Sequence, residues 1–498
     1  MKPTTSLAAI WLKNGHTAVA RSFRFHRQRG AFCHRGWCQQ CKTRLPDGTV
    51  VLACTTAASG KQEESAPDHR TDPLRLLGAL AERTRPWFFE RQTLGGPVQQ
   101  AFLKTLRWMS GAFPLPTLRS YAAKARTSTL SCQTLVIGGG PAGSLAADAL
   151  ARAGRSCVVI HAGDPGGSAR TLFAGVTPWP VVVDRASNIK RLDRHLCVGL
   201  YDEARRALCV GPNANVLVTY DEIVVATGAY DRMPTVEGND LPGVVGLRAF
   251  ERLAAQGAIP VGSRVGVYAA AAEARRAQVA AKAAGVALAF VEDADAKALR
   301  RIIGSKRVTG IAFEDGTTHE CGLLVVGFTQ PSYEFQAQNG CAVELAGQPP
   351  IVRAKGASKR PMLVVGEARG WIDPATLASS VQSAVAAWLA GKPGVEQAST
   401  PASRPPMQTP ADAAFVCFCE DVRVGDIRAA IADGYDDVEL VKRHTGAGTG
   451  PCQGKLCHGS LLSCMAEAGH EVRIPTPRPL MRPIALRQLA GDGSIIGK

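Results

Sequence analysis

Eight of the fifteen cysteines fall into two tight groups near opposite ends of the chain. Cys33, Cys38, Cys41 and Cys54 are spaced C-x4-C-x2-C-x12-C, and Cys417, Cys419, Cys452 and Cys457 are spaced C-x-C-x32-C-x4-C. Four thiolates gathered on one centre dictate which stretches of backbone must meet. In a reducing compartment such clustering means metal or redox chemistry rather than disulfides. Four soft thiolates complete two irons bridged by two sulfides, a [2Fe–2S] cluster.

In the first group the spacing lets one loop wrap a cluster, and Gly30 and Gly36 let amides turn toward sulfur. Arg21, Arg24, Arg27, Arg29 and Arg35 lie nearby and would favour a reduced, more negative cluster. The bland reading of that run is a solvated basic face. In the second group Gly448 and Gly450 play the turning role, and Lys442 and Arg443 supply positive charge. Zinc is the alternative in both groups. Cys38 and Cys41 form a C-x2-C pair, although zinc sites usually present two such pairs. The other seven, Cys132, Cys157, Cys197, Cys209, Cys321, Cys341 and Cys464, read as small buried apolar residues.

Between the groups, an apolar strand from Thr134 runs into Gly138-x-Gly140-x-x-Gly143 and an Ala-rich helix to about Ala153. Gly138 permits the tight turn. Gly140 lets backbone approach a pyrophosphate at the helix N-terminus, flanked by Pro141 and Ala142. Gly143 allows close packing of helix on strand. A second strand ends at Ile160. The acid that normally binds the adenosine ribose is replaced there by His161, with Asp164 just behind. His161 can donate to a ribose oxygen; an ordinary loop histidine is the alternative. Two later strands end in Ala226-Thr227-Gly228 and in Gly366-Glu367, the latter followed by a helical pattern to Ala390.

Residues 264–274 repeat the strand-to-helix layout, but Ala269 and Ala271 stand where turn glycines belong. A Cβ there obstructs a pyrophosphate, so this unit reads as a retained scaffold rather than an NAD(P) site. No Cys-x-x-Cys lies in this region, which disfavours a thioredoxin-reductase-type dithiol.

The expected organisation is a ferredoxin-like domain over 1–60 and a connector over 61–130, with helical patterns at 74–82 and 99–108. A flavin domain over 131–395 carries the NAD-like insert at about 240–330. A Pro/Ser/Thr-rich linker (396–413), the second cysteine domain (414–470) and a Pro/Arg-rich tail (471–498) follow. The fold class is α/β, a two-dinucleotide-domain flavoprotein between an N-terminal α+β domain and a small C-terminal helical domain. The net charge of +16 fits a basic surface or a docking role; no nucleic-acid module and no ~20-residue apolar span is visible. With no secretory signal pattern, the expected location is cytoplasmic, or peripheral to the inner membrane.

Arg21-Ser-Phe-Arg-Phe-His-Arg-Gln-Arg-Gly30 together with the four cysteines resembles the small ferredoxin-like domain of the heterotetrameric sarcosine oxidase family. That family opens with a β-hairpin, whereas only four residues precede the helix read at Thr5 to Asn14; the hairpin is absent or the start codon is misassigned. The Gly138, Gly228 and Gly366 segments in that order resemble the FAD domain of two-dinucleotide-domain reductases. The resemblance implies that Glu367, one methylene longer than the usual Asp, meets the ribityl chain and flavin end. The second cysteine group resembles the bacterioferritin-associated-ferredoxin type of [2Fe–2S] domain.

The domain order resembles the iron–sulfur/FAD α subunits, with a fused ferredoxin-like γ domain, of hydrogen cyanide synthase, opine oxidases, D-hydroxyproline dehydrogenase and dye-linked proline dehydrogenase. That resemblance implies a hetero-oligomer. A D-amino-acid-oxidase-like FAD β subunit would oxidise an amine or amino acid, with an FMN at the interface and a quinone or electron-transfer protein as acceptor. No acid–base or nucleophile constellation is visible, which fits a chain that relays electrons. The alternative is a self-sufficient NAD(P)H-dependent reductase. A scaffold with structural zinc sites is a third class.

Overall fold

A computed structural model describes residues 5–58, 126–163, 187–346, 351–392 and 410–484. Positions 23, 46–48, 202–203, 213, 356–357, 371–373, 472 and 476 are excepted, and isolated positions at 96–104 and 166 are added. The helical pattern at 74–82, most of that at 99–108 (residues 100, 101 and 104 are described, as helix), Asp164 and most of the linker and tail lie outside the described residues.

The N-terminal unit opens with helix α1 (Leu7–Lys13). Ser6 caps it, its Oγ accepting from the Ala9 N–H at 3.3 Å. Two short antiparallel ladders follow, β1 (Ala18–Arg21) with β2 (Gln28–Gly30) and β3 (Lys42–Arg44) with β4 (Val50–Leu52). The apolar face of α1, with Leu7, Ala8 and Trp11, packs on Val19, Cys41 and Cys54.

The central sheet comprises β5 (Arg126–Ile137), β6 (Cys157–His161), β7 (Ile189–Asp193), β8 (Leu196–Tyr201), β9 (Arg206–Val210) and β10 (Ala214–Val225) in the order β7-β6-β5-β10-β9-β8. Strands β5, β6, β7 and β10 run parallel, and β8 and β9 are antiparallel. Helix α2 (Pro141–Arg152) leaves β5 directly. The last four residues of β5 are all buried because both faces of the sheet are covered.

A short ladder of β11 (Ala229–Asp231) with a later strand leads to a second, all-parallel sheet. It contains β12 (Val244–Gly246), β13 (Val265–Ala269) and β14 (Leu288–Asp293), with α3 (Leu247–Ala255) and α4 (Ala271–Ala283) packed on one face. An antiparallel meander, β15 (Leu299–Gly304), β16 (Val308–Phe313) and β17 (Thr318–Glu320), precedes β18 (Leu323–Gly327), which lies between β12 and β13. Strand β19 (Thr329–Pro331) pairs with β11 and carries the chain back to the first sheet. Then come α5 (Glu334–Gln338), the ladder β20 (Ala342–Ala346) with β21 (Ile351–Lys355), and β22 (Met362–Val364), which docks parallel to β10. Helix α6 (Leu377–Leu389) packs beside α2 through Leu377, Val381 and Val385.

The C-terminal unit is a ladder of β23 (Phe415–Cys417) with β24 (Val422–Arg423), followed by α7 (Val424–Ala432), α8 (Val438–Thr445) and α9 (His458–Glu467). Helix α8 stops at Gly446, which has a φ of +81°. One apolar cluster joins all three regions: Cys33, Trp37 and Cys38 meet Tyr230, Tyr268 and Val326, and also Phe415, Phe418 and Cys452.

Arg27 and Arg29 form neither a solvated face nor a set of charges aimed at sulfur, whereas Arg35 is exposed. Arg29 is 3% exposed and pairs with both Asp240 and Asp421, while Arg27 pairs with Asp240 at 2.6 Å. Asp421 also accepts from the backbone N–H of Arg24 at 2.7 Å and of Phe25 at 3.0 Å. Asn239 adds a two-way clip, donating to the Phe415 carbonyl at 2.9 Å and accepting from the Phe415 N–H at 3.1 Å. These side chains stitch the two cysteine units to each other and to the second sheet. The sequence hides this because the paired carboxylates are hundreds of positions away.

Candidate redox site

The turn after β5 is shaped for a close-approaching ligand. Gly138 has a φ of +111°, and a Cβ on it would lie 2.2 Å from the Ala226 carbonyl oxygen. A Cβ on Gly143 would lie 1.8 Å from the Gly138 oxygen, whereas one on Gly140 would meet nothing within 4 Å. Two glycines therefore hold helix, strand and turn together, and the third leaves bare backbone facing open space. Pro141 begins α2 at a position where its missing N–H costs nothing, and Ala142 lies under Gly366, whose Cβ would come within 2.6 Å of it.

That open space is a cleft of about 770 Å³. Gly138, Gly140, Pro141, Ala142, His161, Thr227, Gly228, Gly366 and Glu367 line it, and Trp37 of the first cysteine unit and Lys455 of the second reach it too. His161 ends β6 and lies over the turn, close enough that a Cβ on Gly139 would come within 2.8 Å of its own Cβ. Thr227 hydrogen bonds with Ser332, whose hydroxyl donates to the Gly228 carbonyl at 2.8 Å, so the residue that follows β19 fixes this edge of the cleft.

Glu367 is engaged in an unexpected way at its end of the cleft. Arg248 donates to it at 2.7 and 3.3 Å and Arg276 at 2.8 Å. Arg248 also pairs with Asp231 at 2.8 Å, and Arg276 with Glu251 at 3.0 and 3.1 Å. Burial pushes the Glu367 carboxyl up, but the two guanidiniums outweigh it and hold it at about 2. Arg276 projects from α4, so the ion network joins the flavin-type unit to the second unit. Ala269 and Ala271 stand at the turn of that unit. The Ala269 Cβ is accommodated because its β18 neighbour is Gly327, where a Cβ would come within 2.5 Å.

Both cysteine groups come together as buried chains of sulfurs. In the first, Cys33 hydrogen bonds with Cys38 and Cys54, and Cys54 with Cys41. The N–H groups of Arg35 and Cys38 each point at Cys33 Sγ from 3.4 Å, and that of Cys54 at Cys41 Sγ from 3.4 Å. In the second, Cys452 hydrogen bonds with Cys419 and Cys457, and Cys457 with Cys417. Burial raises Cys33, but its hydrogen bonds prevail and hold it well below the usual thiol range. At Cys452 the thiols of Cys419 and Cys457 and the Leu456 amide act in the same direction. Among the described residues no group of three or more His, Cys, Asp or Glu side chains forms a ready site for a single metal ion. Four thiols in each group, all buried except the partly buried Cys419, with inward-turned amides, fit the donor set of a binuclear iron–sulfur centre.

Comparison with known proteins sorts the same regions. Residues 2–62 match the 2Fe-2S iron-sulfur cluster binding domain family, 132–257 the pyridine nucleotide-disulphide oxidoreductase family, and 411–492 the sarcosine oxidase A3 domain. The first of two opine and sarcosine oxidase relatives, an opine oxidase chain of Rhizobium meliloti (strain 1021), is 38% identical over 21% of this chain and 23% of its own length. The second, the alpha chain of sarcosine oxidase from the same organism, is 24% identical over 98% of this chain and 56% of its own. The chain is a relative of these oxidase subunits. The chain therefore spans 56% of the length of the sarcosine oxidase chain and matches 23% of the opine oxidase chain. The crystal structure of L-proline dehydrogenase from P. horikoshii superposes with a TM-score of 0.70 over 97% of this chain and 94% of that one. At 16% identity that likeness establishes the fold alone. The chain is thus a mixed α/β protein with a 2Fe-2S domain ahead of a flavoprotein-type oxidoreductase domain.

Several residues at the site escaped the sequence. Lys442 pairs with Glu439 at 3.4 Å. The buried cation beside the cysteines is Lys455, whose ammonium donates to the Cys452 carbonyl at 3.3 Å and the Met481 carbonyl at 2.8 Å. Its place inside the C-x4-C loop was the available signal. Arg248 and Arg276 had none, since nothing local marks an arginine that crosses between sheets. Of the seven scattered cysteines, six are buried and Cys132 is partly so. Among the described residues no helix is long and apolar enough to cross a membrane.

Proposed function

We propose that the chain is the electron-transfer subunit of a multi-subunit, FAD-dependent amine or amino-acid dehydrogenase that works on CH–NH or CH–NH2 donors. The observation that carries this reading is the meeting of the Gly140 cleft with both buried cysteine groups in one core. FAD would supply two-electron acceptance, and two [2Fe–2S] clusters one-electron conduction. The chain's own residues do the rest. Gly140 and the N-terminus of α2 receive the pyrophosphate, His161 faces the ribose end, and Glu367 with its two arginines fixes the flavin end. Trp37 and Tyr230, with ring centroids 5.1 Å apart, exclude water between the cleft and the first cysteine loop.

Substrate oxidation is assigned in this reading to a separate flavoprotein of the D-amino-acid-oxidase type; that the relatives are named as subunits supports an assembly of more than one chain. An FMN at the subunit interface and a quinone or electron-transfer protein as acceptor complete the proposal, in a cytoplasmic or membrane-peripheral setting. Copurification with the product of the adjacent gene tests it: an amine or amino acid should bleach both flavin and cluster absorbance. Failure of every such donor to reduce the clusters would overturn it. Rapid flavin bleaching of the isolated chain by NADH would favour the reductase alternative, against which the Arg276 network stands.

A further inference from the structure

Gln40 touches sulfur in both cysteine groups. It sits between Cys38 and Cys41 and is 8% exposed. Its backbone N–H hydrogen bonds with the Cys38 sulfur. Its side-chain Nε2 lies 3.6 Å from Cys419 Sγ and 3.1 Å from the Cys38 carbonyl oxygen. Both side-chain neighbours are acceptors, and a carboxamide has hydrogens only on nitrogen. Each N–H of the amide thus has its own acceptor, which fixes the orientation of the group.

The geometry points to Gln40 as the positioning residue that couples the two cysteine groups and sets the reduction potential of the C-terminal centre. A neutral N–H dipole aimed at a ligating sulfur stabilises the added negative charge of the reduced centre, and so raises its potential. The contact is partly buried and spans 379 positions of sequence. It also ties the two metal loops by one side chain, so that an electron leaving one centre and entering the other crosses a fixed distance. The inference rests on the reading of both groups as [2Fe–2S] ligands and goes beyond it by assigning a residue outside the ligand set.

The test is a potentiometric titration of the full chain, loaded with iron and sulfide and followed by electron paramagnetic resonance. Cys417→Ala assigns the C-terminal signal by removing it. Gln40→Met keeps the volume and loses the donor. Its C-terminal centre should become about tenfold harder to reduce, about 59 mV for a one-electron couple, with iron content unchanged. Gln40→Glu places a carboxylate on the sulfur and should move the same centre further in the same direction. The N-terminal centre, still served by the backbone N–H, should move less in both variants. Two signals with unshifted potentials in both variants would overturn the role of Gln40 while leaving the clusters intact. Wild-type protein without iron and acid-labile sulfide would instead remove the cluster reading itself.

Discussion

The molecule contains two strand–turn–helix units of the same design, and they have taken opposite courses. Strand β5 enters α2 through Gly138, Gly140 and Gly143, and the middle position opens on a cleft. Strand β13 enters α4 with Ala269 and Ala271 in the turn, and Arg276 of α4 is locked between Glu251 and Glu367. One unit leaves backbone exposed for a phosphate, while the other carries methyl groups and an internal salt network. A shared topology thus says little about ligand binding; the side chains at three turn positions decide it.

The largest expected effect lies in the first unit. Gly143→Ala would put a Cβ 1.8 Å from a backbone oxygen, so helix and strand must separate. A loss of about 4 kcal/mol, or failure to fold, should appear in thermal melts. A variant as stable as wild type would show that the packing argument is wrong.

Next comes the bridge between the units. Glu367→Gln leaves two buried guanidiniums short of charge and should cost about 3 kcal/mol. The same pair makes stability pH-dependent. The carboxyl titrates near 4.5 when unfolded and at about 2 when folded. Below 4.5 the unfolded chain binds a proton that the folded chain does not, so the contribution, roughly 3 kcal/mol, is present above 4.5 and lost as pH falls through 2. In urea melts across that range the wild type should lose stability faster than Glu367→Gln; parallel curves would contradict the network.

Gly140→Ala sharpens the contrast, because a Cβ there meets nothing. The apoprotein should melt as wild type does, while FAD affinity drops by about thirtyfold, about 2 kcal/mol. Unchanged flavin retention would erase the distinction between the two turns. The smallest effect belongs to the second unit. Ala269→Gly with Ala271→Gly should cost about 1 kcal/mol and still give no flavin bleaching by NADH, since the arginine network remains. Bleaching by NADH would show that the methyl groups alone had closed that site.

Much of this was legible because its signals are local. The turn glycines, the Ser6-capped helix and the cysteine spacings each lie within one short stretch, and strand β22 followed by α6 was readable from apolar runs alone. What could not be read is the set of long-range pairings. Arg29 looked like one of five solvent-facing or cluster-facing arginines, yet burial against Asp240 and Asp421 requires the folded molecule. Glu367 was located by its strand, but its two guanidinium partners come from helices of another sheet. Lys442 and Arg443 read as the positive charges near the second group, while the burial of Lys455 stays hidden, because sequence does not reveal which lysine loses water.

Asp421 has a mechanical corollary. It grips the amides of Arg24 and Phe25 and the guanidinium of Arg29, so the two cysteine units are clasped although they are remote in sequence. Neither can loosen alone without stranding a desolvated charge on the other. A single backbone nick anywhere between them should leave the pieces associated, and thermal unfolding of the two ends should register as one event.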